Sequence, residues 1–256
     1  MTNSKDAYTI TETTLPKERM GFMELTTTKD LTLQQPIDLS KHRIIPRQPG
    51  SAYTHLAGVV FAVLGAYPLF HRAADTSGLS LFSCITFIAG MFLLYGASTL
   101  YHTFGRTIRS YTNLKKLDHL MIYVLIAGTY TPVCLLALQG TSGKLLLALV
   151  WGIAFIGIFQ CLFFIHCPKW ISAVIYIAMG WCCVLAFPQL ISSVSTGAFA
   201  LLLGGGILYT IGGVIYALKL PIFDNKHPNF GLHEIFHCFC LAGSFFHFLM
   251  IYGYLV

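Results

Sequence analysis

Residues 170–218, WISAVIYIAMGWCCVLAFPQLISSVSTGAFALLLGGGILYTIGGVIYAL, contain no Asp, Glu, Lys or Arg. About 20 apolar residues carry a helix across the hydrocarbon of a bilayer, so this stretch is too long for one crossing and long enough for two. Pro188 and the Ser-, Thr- and Gly-rich residues 192–197 supply a turn in its middle. The stretch therefore predicts two consecutive membrane helices.

Further apolar stretches of similar length extend this prediction to the rest of the chain. The predicted spans lie at about residues 52–71, 79–102, 117–138, 144–165, 169–188, 197–218 and 232–254. Hydrophobic residues make up 55% of the chain and charged residues 10%, whereas soluble domains carry about 25% charged residues. We therefore predict an all-α integral membrane protein with seven transmembrane helices in residues 48–256. Glycines 204–206 and 212–213 predict close packing of the sixth helix.

The charged residues predict an orientation. Residues 1–47 are polar and lack the apolar core of a signal peptide, so we interpret them as a largely disordered tail. If this tail is cytoplasmic, the same side of the membrane holds fourteen of the sixteen Lys and Arg residues, and the other side holds only Arg72 and Lys144. The positive-inside rule then predicts a cytoplasmic N-terminus and an outside C-terminus.

Two function classes are disfavoured by composition. No basic run is long enough to follow a phosphate backbone, so we expect no nucleic-acid partner despite the net charge of +6. Seven of the eight cysteines lie inside the apolar stretches, which favours buried free thiols over a disulfide framework.

Histidines collect at the predicted cytoplasmic ends of several spans. His102 ends the second span, whereas His233 and His237 begin the seventh. His233 and His237 are four residues apart, so both rings project from one helical face. Together with His102 they predict an open three-histidine zinc site with a fourth position for water. His55 and His119 begin the first and third spans, and either line the site or make polar contacts at helix ends.

Two further polar residues lie near these histidines. Asp118 begins the third span, and a carboxylate at that depth is costly unless it faces a polar interior. Asp118 is therefore a candidate general base, or an acceptor that positions a water molecule on the metal. Ser98 lies one turn before His102 and is a candidate to orient its ring or to bond that water.

The predicted seventh helix carries a polar stripe. His233, His237, Cys240, Ser244 and His247 follow one another at steps of four, three, four and three residues. That spacing places them on one face, towards the interior of the bundle. The stripe predicts a partly wet cavity that extends from the metal site towards the membrane centre.

Several segments resemble the bacterial hemolysin III proteins, which belong with the progestin and adipoQ receptors, including the adiponectin receptors. These segments are SAYTHLAGV at 51–59, YGASTLYHTF at 95–104, LDHLMIYVLIAGTYTP at 117–132 and HEIFHCFCLAGSFFHF at 233–248. The resemblance covers about residues 48–256. It implies seven transmembrane helices with an intracellular N-terminus, in a bacterial-type plasma (inner) membrane.

The resemblance also implies roles for individual residues. It assigns His102, His233 and His237 as ligands of a zinc ion near the cytoplasmic face. Asp118 is then expected to contact the metal-bound water, with Ser98 beside the ligands. Ser51 and His55 match the first motif of the family, but Gln48 occupies the position of that motif's Glu.

Three functions are compatible with these features. The leading one is an intramembrane zinc-dependent hydrolase of a lipid amide or ester, and the resemblance adds ceramidase-like activity and membrane lipid homeostasis. The second is a non-enzymatic receptor or sensor of the membrane state, with a structural zinc whose fourth ligand is His55 or His119. The third is a pore-forming hemolysin. Membrane lipids are the expected substrate or ligand of the first two.

Overall fold

The computed structural model describes residues 45–138, 140–163, 169–218 and 230–256. Most of the predicted tail, residues 1–44, lies outside these ranges. Within them all regular secondary structure is helical, and seven helices are long and apolar enough to cross a bilayer. The predicted seven-helix membrane bundle is confirmed. We number the helices spans 1 to 7 in chain order: Pro49–Thr76, Gly78–Phe104, Ile108–Ala137, Thr141–Phe163, Val174–Ser193, Thr196–Leu218 and Leu232–Leu255.

Span 3 lies at the centre of the bundle. In the most apolar 18-residue stretch of span 3, 67% of the residues are buried inside the protein, whereas the corresponding value is 17% in spans 5 and 6. Span 3 begins at Ile108 rather than near residue 117, because Thr107 and Ser110 form a capping box. The Ser110 N–H donates to Thr107 Oγ1 at 3.1 Å, and the Thr107 N–H donates to Ser110 Oγ at 3.0 Å. These bonds satisfy backbone donors that have no partner within the helix.

The long uncharged stretch is divided as predicted, since one helix ends at Ser193 and the next begins at Thr196. Span 5 is itself interrupted: an α-helix at Lys169–Gly180 is followed by a 3-10 turn at Cys182–Ala186. The Tyr130 hydroxyl of span 3 donates to the Gly180 carbonyl at 2.6 Å and accepts from the Cys183 N–H at 2.9 Å. Hydrocarbon cannot satisfy backbone groups that a break sets free, so this tyrosine makes the break possible.

Spans 6 and 7 pack closely, as the glycines of the sixth helix predicted. A Cβ added at Gly205 would lie 3.1 Å from the Gly243 carbonyl oxygen, and one at Gly243 would lie equally close to the Gly205 oxygen. Gly212 faces Phe239 of span 7, whereas a Cβ at Gly206 would meet open space. One face of the glycine-rich segment therefore lets the two backbones approach each other.

Spans 2 and 3 approach each other through two further glycines. A Cβ at Gly90 would lie 3.1 Å from the Leu125 Cα, and one at Gly128 would lie 2.9 Å from the Thr86 carbonyl oxygen. Both obstacles are backbone atoms, which cannot rotate away as a flexible side chain can. These contacts hold the first half of span 2 in a fixed position relative to span 3.

Gly128→Ala is expected to lower the free energy of unfolding by about 1–3 kcal/mol, because its methyl group has no room beside the Thr86 carbonyl. Gly96→Ala is the matched control, since nothing lies within 4 Å of a Cβ at that position. Thermal unfolding in detergent compares the two variants. Equal midpoints for both would show that the backbones of spans 2 and 3 are not in close contact.

Candidate metal centre

Three histidines meet at one end of the bundle. His102 lies near the end of span 2, and His233 and His237 lie near the start of span 7. One ring nitrogen from each lies within 4.8 Å of the other two, and the His102 and His233 Nε2 atoms are 3.1 Å apart. We call this group the three-histidine cluster. His102 and His237 are each only 1% exposed.

The donor set and spacing of the cluster fit a zinc ion. Zinc binds imidazole nitrogens at about 2.0–2.1 Å with tetrahedral angles, which places two ligand nitrogens about 3.3 Å apart. The separation of 3.1 Å between the His102 and His233 nitrogens is close to that value. The remaining separations need only small ring rotations, since none exceeds 4.8 Å. The cluster can therefore hold a metal ion.

The hydrogen bond of His237 shows which of its nitrogens is available to a metal. Thr54 Oγ1 lies 3.0 Å from the backbone carbonyl oxygens of Gly50 and Ser51, and its single proton goes to one of them. Thr54 Oγ1 therefore accepts from the His237 Nδ1–H, 3.0 Å away. This leaves the lone pair of His237 on Nε2. Thr54 was not among the residues predicted for the site.

Asp118 and Ser98 form a polar pair between spans 2 and 3. The Asp118 side chain is 14% exposed. Its carboxylate is close enough to the Ser98 hydroxyl for an electrostatic contact, but the pair falls short of hydrogen-bond geometry. Ser98 Oγ is buried and bonds to none of the residues that the structure describes. A buried hydroxyl without a partner costs about 1–3 kcal/mol, so this oxygen is suited to a water molecule or a bound ligand. Asp118 is not among the three grouped ligands.

His55 packs on the cluster without pointing into it. Its ring stacks on the His237 ring with centroids 3.4 Å apart and an angle of 10°, and its other side meets the edge of Tyr95 at 5.0 Å. Both ring nitrogens of His55 are buried without a hydrogen bond to any described residue. The lone pair of an imidazole lies in its ring plane. A metal in the plane of the His237 ring is therefore out of reach of His55 in this arrangement.

His119 is not one of the three grouped ligands. Its side chain is 36% exposed, and its Nδ1 donates to the Lys115 carbonyl oxygen at 2.8 Å. The His119 carbonyl oxygen in turn accepts from the Tyr176 hydroxyl at 3.0 Å. Of the two predicted possibilities, these bonds correspond to a polar contact at the start of the helix.

Ser51 connects span 1 to span 7 beside the cluster. Its hydroxyl donates to the Glu234 carboxylate, although the two residues are 183 positions apart. The other carboxylate oxygen of Glu234 accepts from the Gly231 N–H at 2.8 Å, which caps span 7. The pair therefore fixes the first turn of span 7, from which His233 and His237 project.

The polar stripe of span 7 faces the interior as predicted, but its middle is packed rather than open. Ser244 Oγ lies 2.5 Å from the hydroxyls of both Tyr95 and Tyr209. Farther along, His247 Nε2 donates to the Leu202 carbonyl oxygen at 3.1 Å. A cavity of about 50 Å³ adjoins His247, with aromatic walls from Tyr130, Trp181, Phe187 and Phe199. Two tyrosines thus separate the cluster from this cavity.

The amino-acid sequence of the chain matches a known protein family. A family model described as haemolysin-III related matches residues 44–248. The chain belongs to the haemolysin-III family. The family is part of the progestin and adipoQ receptor superfamily, so the resemblance predicted from the sequence is confirmed. All residues of the three-histidine cluster lie within the matched range.

Two haemolysin-III relatives show how far the similarity extends. The Hemolysin-3 homolog of Bacillus subtilis (strain 168) is 37% identical over 213 residues, which are 83% of this chain and 96% of the relative. Hemolysin-3 of Bacillus cereus is 32% identical over 217 residues, which are 84% of this chain and 94% of that protein. The similarity therefore covers nearly the whole length of both relatives.

Proposed function

We propose that this haemolysin-III protein is a zinc-dependent hydrolase that cleaves an amide or ester bond of a membrane lipid, as a ceramidase does. The observation that carries the proposal is the buried three-histidine cluster, with the Ser98 hydroxyl one turn before His102 and the Asp118 carboxylate beside Ser98. The described residues group three ligands, not four. Structural zinc sites have four protein ligands, whereas catalytic sites keep one position open.

Each residue has a role in this proposal. His102, His233 and His237 hold the zinc ion, which as a Lewis acid acidifies a water molecule and polarises the scissile carbonyl. A carboxylate oxygen of Asp118 accepts the proton of the attacking water and returns it to the leaving nitrogen or oxygen. The Ser98 hydroxyl, which bonds to none of the described residues, forms a hydrogen bond to the attacking water.

We further propose that the cluster faces the cytoplasm, in the plasma membrane of a bacterial-type cell. The distribution of Lys and Arg supports this orientation, and the two relatives are from Bacillus. The ends of spans 2 and 7 that carry the cluster then lie at the inner leaflet. A lipid of that leaflet reaches the cluster with its headgroup region first, and membrane lipid homeostasis is the process in which such a hydrolysis takes part.

The hydrolase is tested with purified, zinc-loaded protein in mixed micelles that contain lipid amides, including ceramides, and lipid esters. We expect release of free fatty acid from at least one lipid class. Activity should disappear with a chelator and return with added Zn²⁺. No release from any amide or ester lipid by fully loaded protein would rule out the hydrolase.

A membrane sensor with structural zinc is the second candidate. The burial of His55 directly against His237 favours it, because a rotation of the His55 side chain would bring a fourth protein nitrogen to the cluster. X-ray absorption spectroscopy of the zinc-loaded protein separates the two functions. Four nitrogen ligands indicate the sensor and contradict the hydrolase, whereas three nitrogens and one oxygen indicate an open site.

Pore formation is the third candidate, and the names of the two Bacillus relatives are the observation in its favour. Large side chains fill the described interior, including Phe87, Met91, Tyr95 and Tyr123, each fully buried. Single-channel recordings in planar bilayers test whether the protein forms a pore. Discrete conductance steps that require the intact protein would support a pore, and silence at high protein density would remove it.

A further inference from the structure

We propose that Gln48, held by Arg47, is a positioning residue of the metal centre that keeps His102 in the tautomer with Nε2 free to bind metal. The inference deepens the proposed function and rests on it. Gln48 occupies the position where the first motif of the family has a Glu, so its role does not follow from the resemblance.

Gln48 is bound to His102 twice. Its side-chain Oε1 lies 2.6 Å from His102 Nδ1, and its backbone N–H donates to the His102 carbonyl oxygen at 3.0 Å. The two residues are 54 positions apart, so the segment before span 1 lies against the end of span 2. This paired contact fixes both the backbone and the ring of His102.

Arg47 determines which atom of the Gln48 amide faces His102. Arg47 Nη2 lies 3.0 Å from the same Oε1 atom. A guanidinium group can only donate hydrogen bonds, so the atom next to it must be the carbonyl oxygen and not the amide nitrogen. That oxygen can only accept from His102, whose proton must therefore be on Nδ1. The lone pair of His102 is then on Nε2, which faces His233 Nε2 at 3.1 Å.

Arg47 is itself held in place by aromatic rings. Its guanidinium carbon lies 5.3 Å from the centre of the Tyr101 ring and 5.1 Å from that of Tyr111. A cation at this distance from a ring face is attracted by the ring quadrupole. The Arg47 backbone N–H also donates to the Thr103 carbonyl oxygen at 3.4 Å. The orientation of the Gln48 amide is therefore set by residues at the end of span 2 and the start of span 3.

The chemistry of this acceptor predicts opposite effects for two substitutions. Gln48→Leu removes the acceptor, so His102 is free to carry its proton on Nε2 and must lose it before it binds metal. Gln48→Glu keeps an acceptor at the same position and adds a negative charge, which raises the basicity of the ligand. The neutral amide thus fixes the tautomer without adding charge to the cluster.

Zn²⁺ affinity, measured by competition with a chelator, tests the proposal. We expect Gln48→Leu to weaken binding by about 10–100-fold, and Gln48→Glu to bind at least as tightly as wild type. Gln189→Leu is the matched control, since Gln189 is exposed on another span, and its affinity should not change. Because Gln48→Glu retains the acceptor, its recovery separates loss of positioning from misfolding. Unchanged affinity in folded Gln48→Leu would overturn the proposal.

A second readout needs no metal. In ¹⁵N-histidine-labelled protein without zinc, the His102 signals, assigned by their loss in His102→Ala, should show a protonated Nδ1. Gln48→Leu should show a mixture of tautomers. A proton on Nε2 in the wild type would overturn the proposal even if zinc binds. Conversely, a wild type that binds no zinc but has a protonated Nδ1 contradicts the proposed hydrolase and supports the role of Gln48.

Discussion

His237→Ala is expected to reduce the zinc content of the purified protein from about one ion per chain to near zero. The reason is geometric: His237 is 1% exposed, and its Nδ1–H is bound to Thr54, so its Nε2 is left as the ligand atom that the substitution removes. Loss of a direct ligand should weaken affinity by more than the roughly 10–100-fold typical of residues that only support a ligand. Metal analysis after dialysis against a weak chelator measures the zinc that remains bound to each chain.

The control for this experiment is His71→Ala. His71 lies towards the other end of span 1, its side chain is 66% exposed, and its Nδ1 is 3.3 Å from Asp75. This variant should keep its zinc, whereas His102→Ala and His233→Ala should lose it as His237→Ala does. Full zinc occupancy in all three cluster variants would place the metal elsewhere in the protein, or show that no specific site exists.

Asp118→Asn is expected to slow lipid hydrolysis by about 10²–10⁴-fold while zinc content stays near that of the wild type. The amide has nearly the shape of the carboxylate but cannot accept the proton of the attacking water. Asp118 lies outside the group of three ligands, so its replacement should leave the cluster intact. Initial rates of fatty-acid release, with zinc measured on the same samples, test both halves of the prediction.

Asp75→Asn is the matched control, since the Asp75 side chain is 74% exposed and pairs only with His71 among the described residues. Its rate should equal that of the wild type. Unchanged hydrolysis in Asp118→Asn would exclude Asp118 as the general base. Loss of zinc together with activity would instead indicate that the Asp118 carboxylate is a metal ligand or is needed for the stability of the fold.

Much of the fold could be predicted because the membrane restricts it. Backbone polar groups in hydrocarbon must be satisfied within the protein, so apolar stretches of sufficient length form helices and the hydropathy pattern reveals their number. The break in span 5 could not be predicted, because it depends on the Tyr130 hydroxyl, which comes from a different span. The contacts of Tyr95 and Tyr209 with Ser244 could not be predicted either, because both tyrosines come from other spans. They occupy the space where the polar stripe of span 7 predicted a wet cavity.

By itself the sequence determined that the chain has seven spans and that His233 and His237 share a helical face, since both properties depend on local spacing alone. Only the tertiary structure decided which atoms face one another. Gln48 reaches His102 across 54 positions, and Thr54 reaches His237 across 183. A ring nitrogen is made available to a metal by the partner of the other nitrogen, and in this bundle those partners come from span 1 and the segment before it.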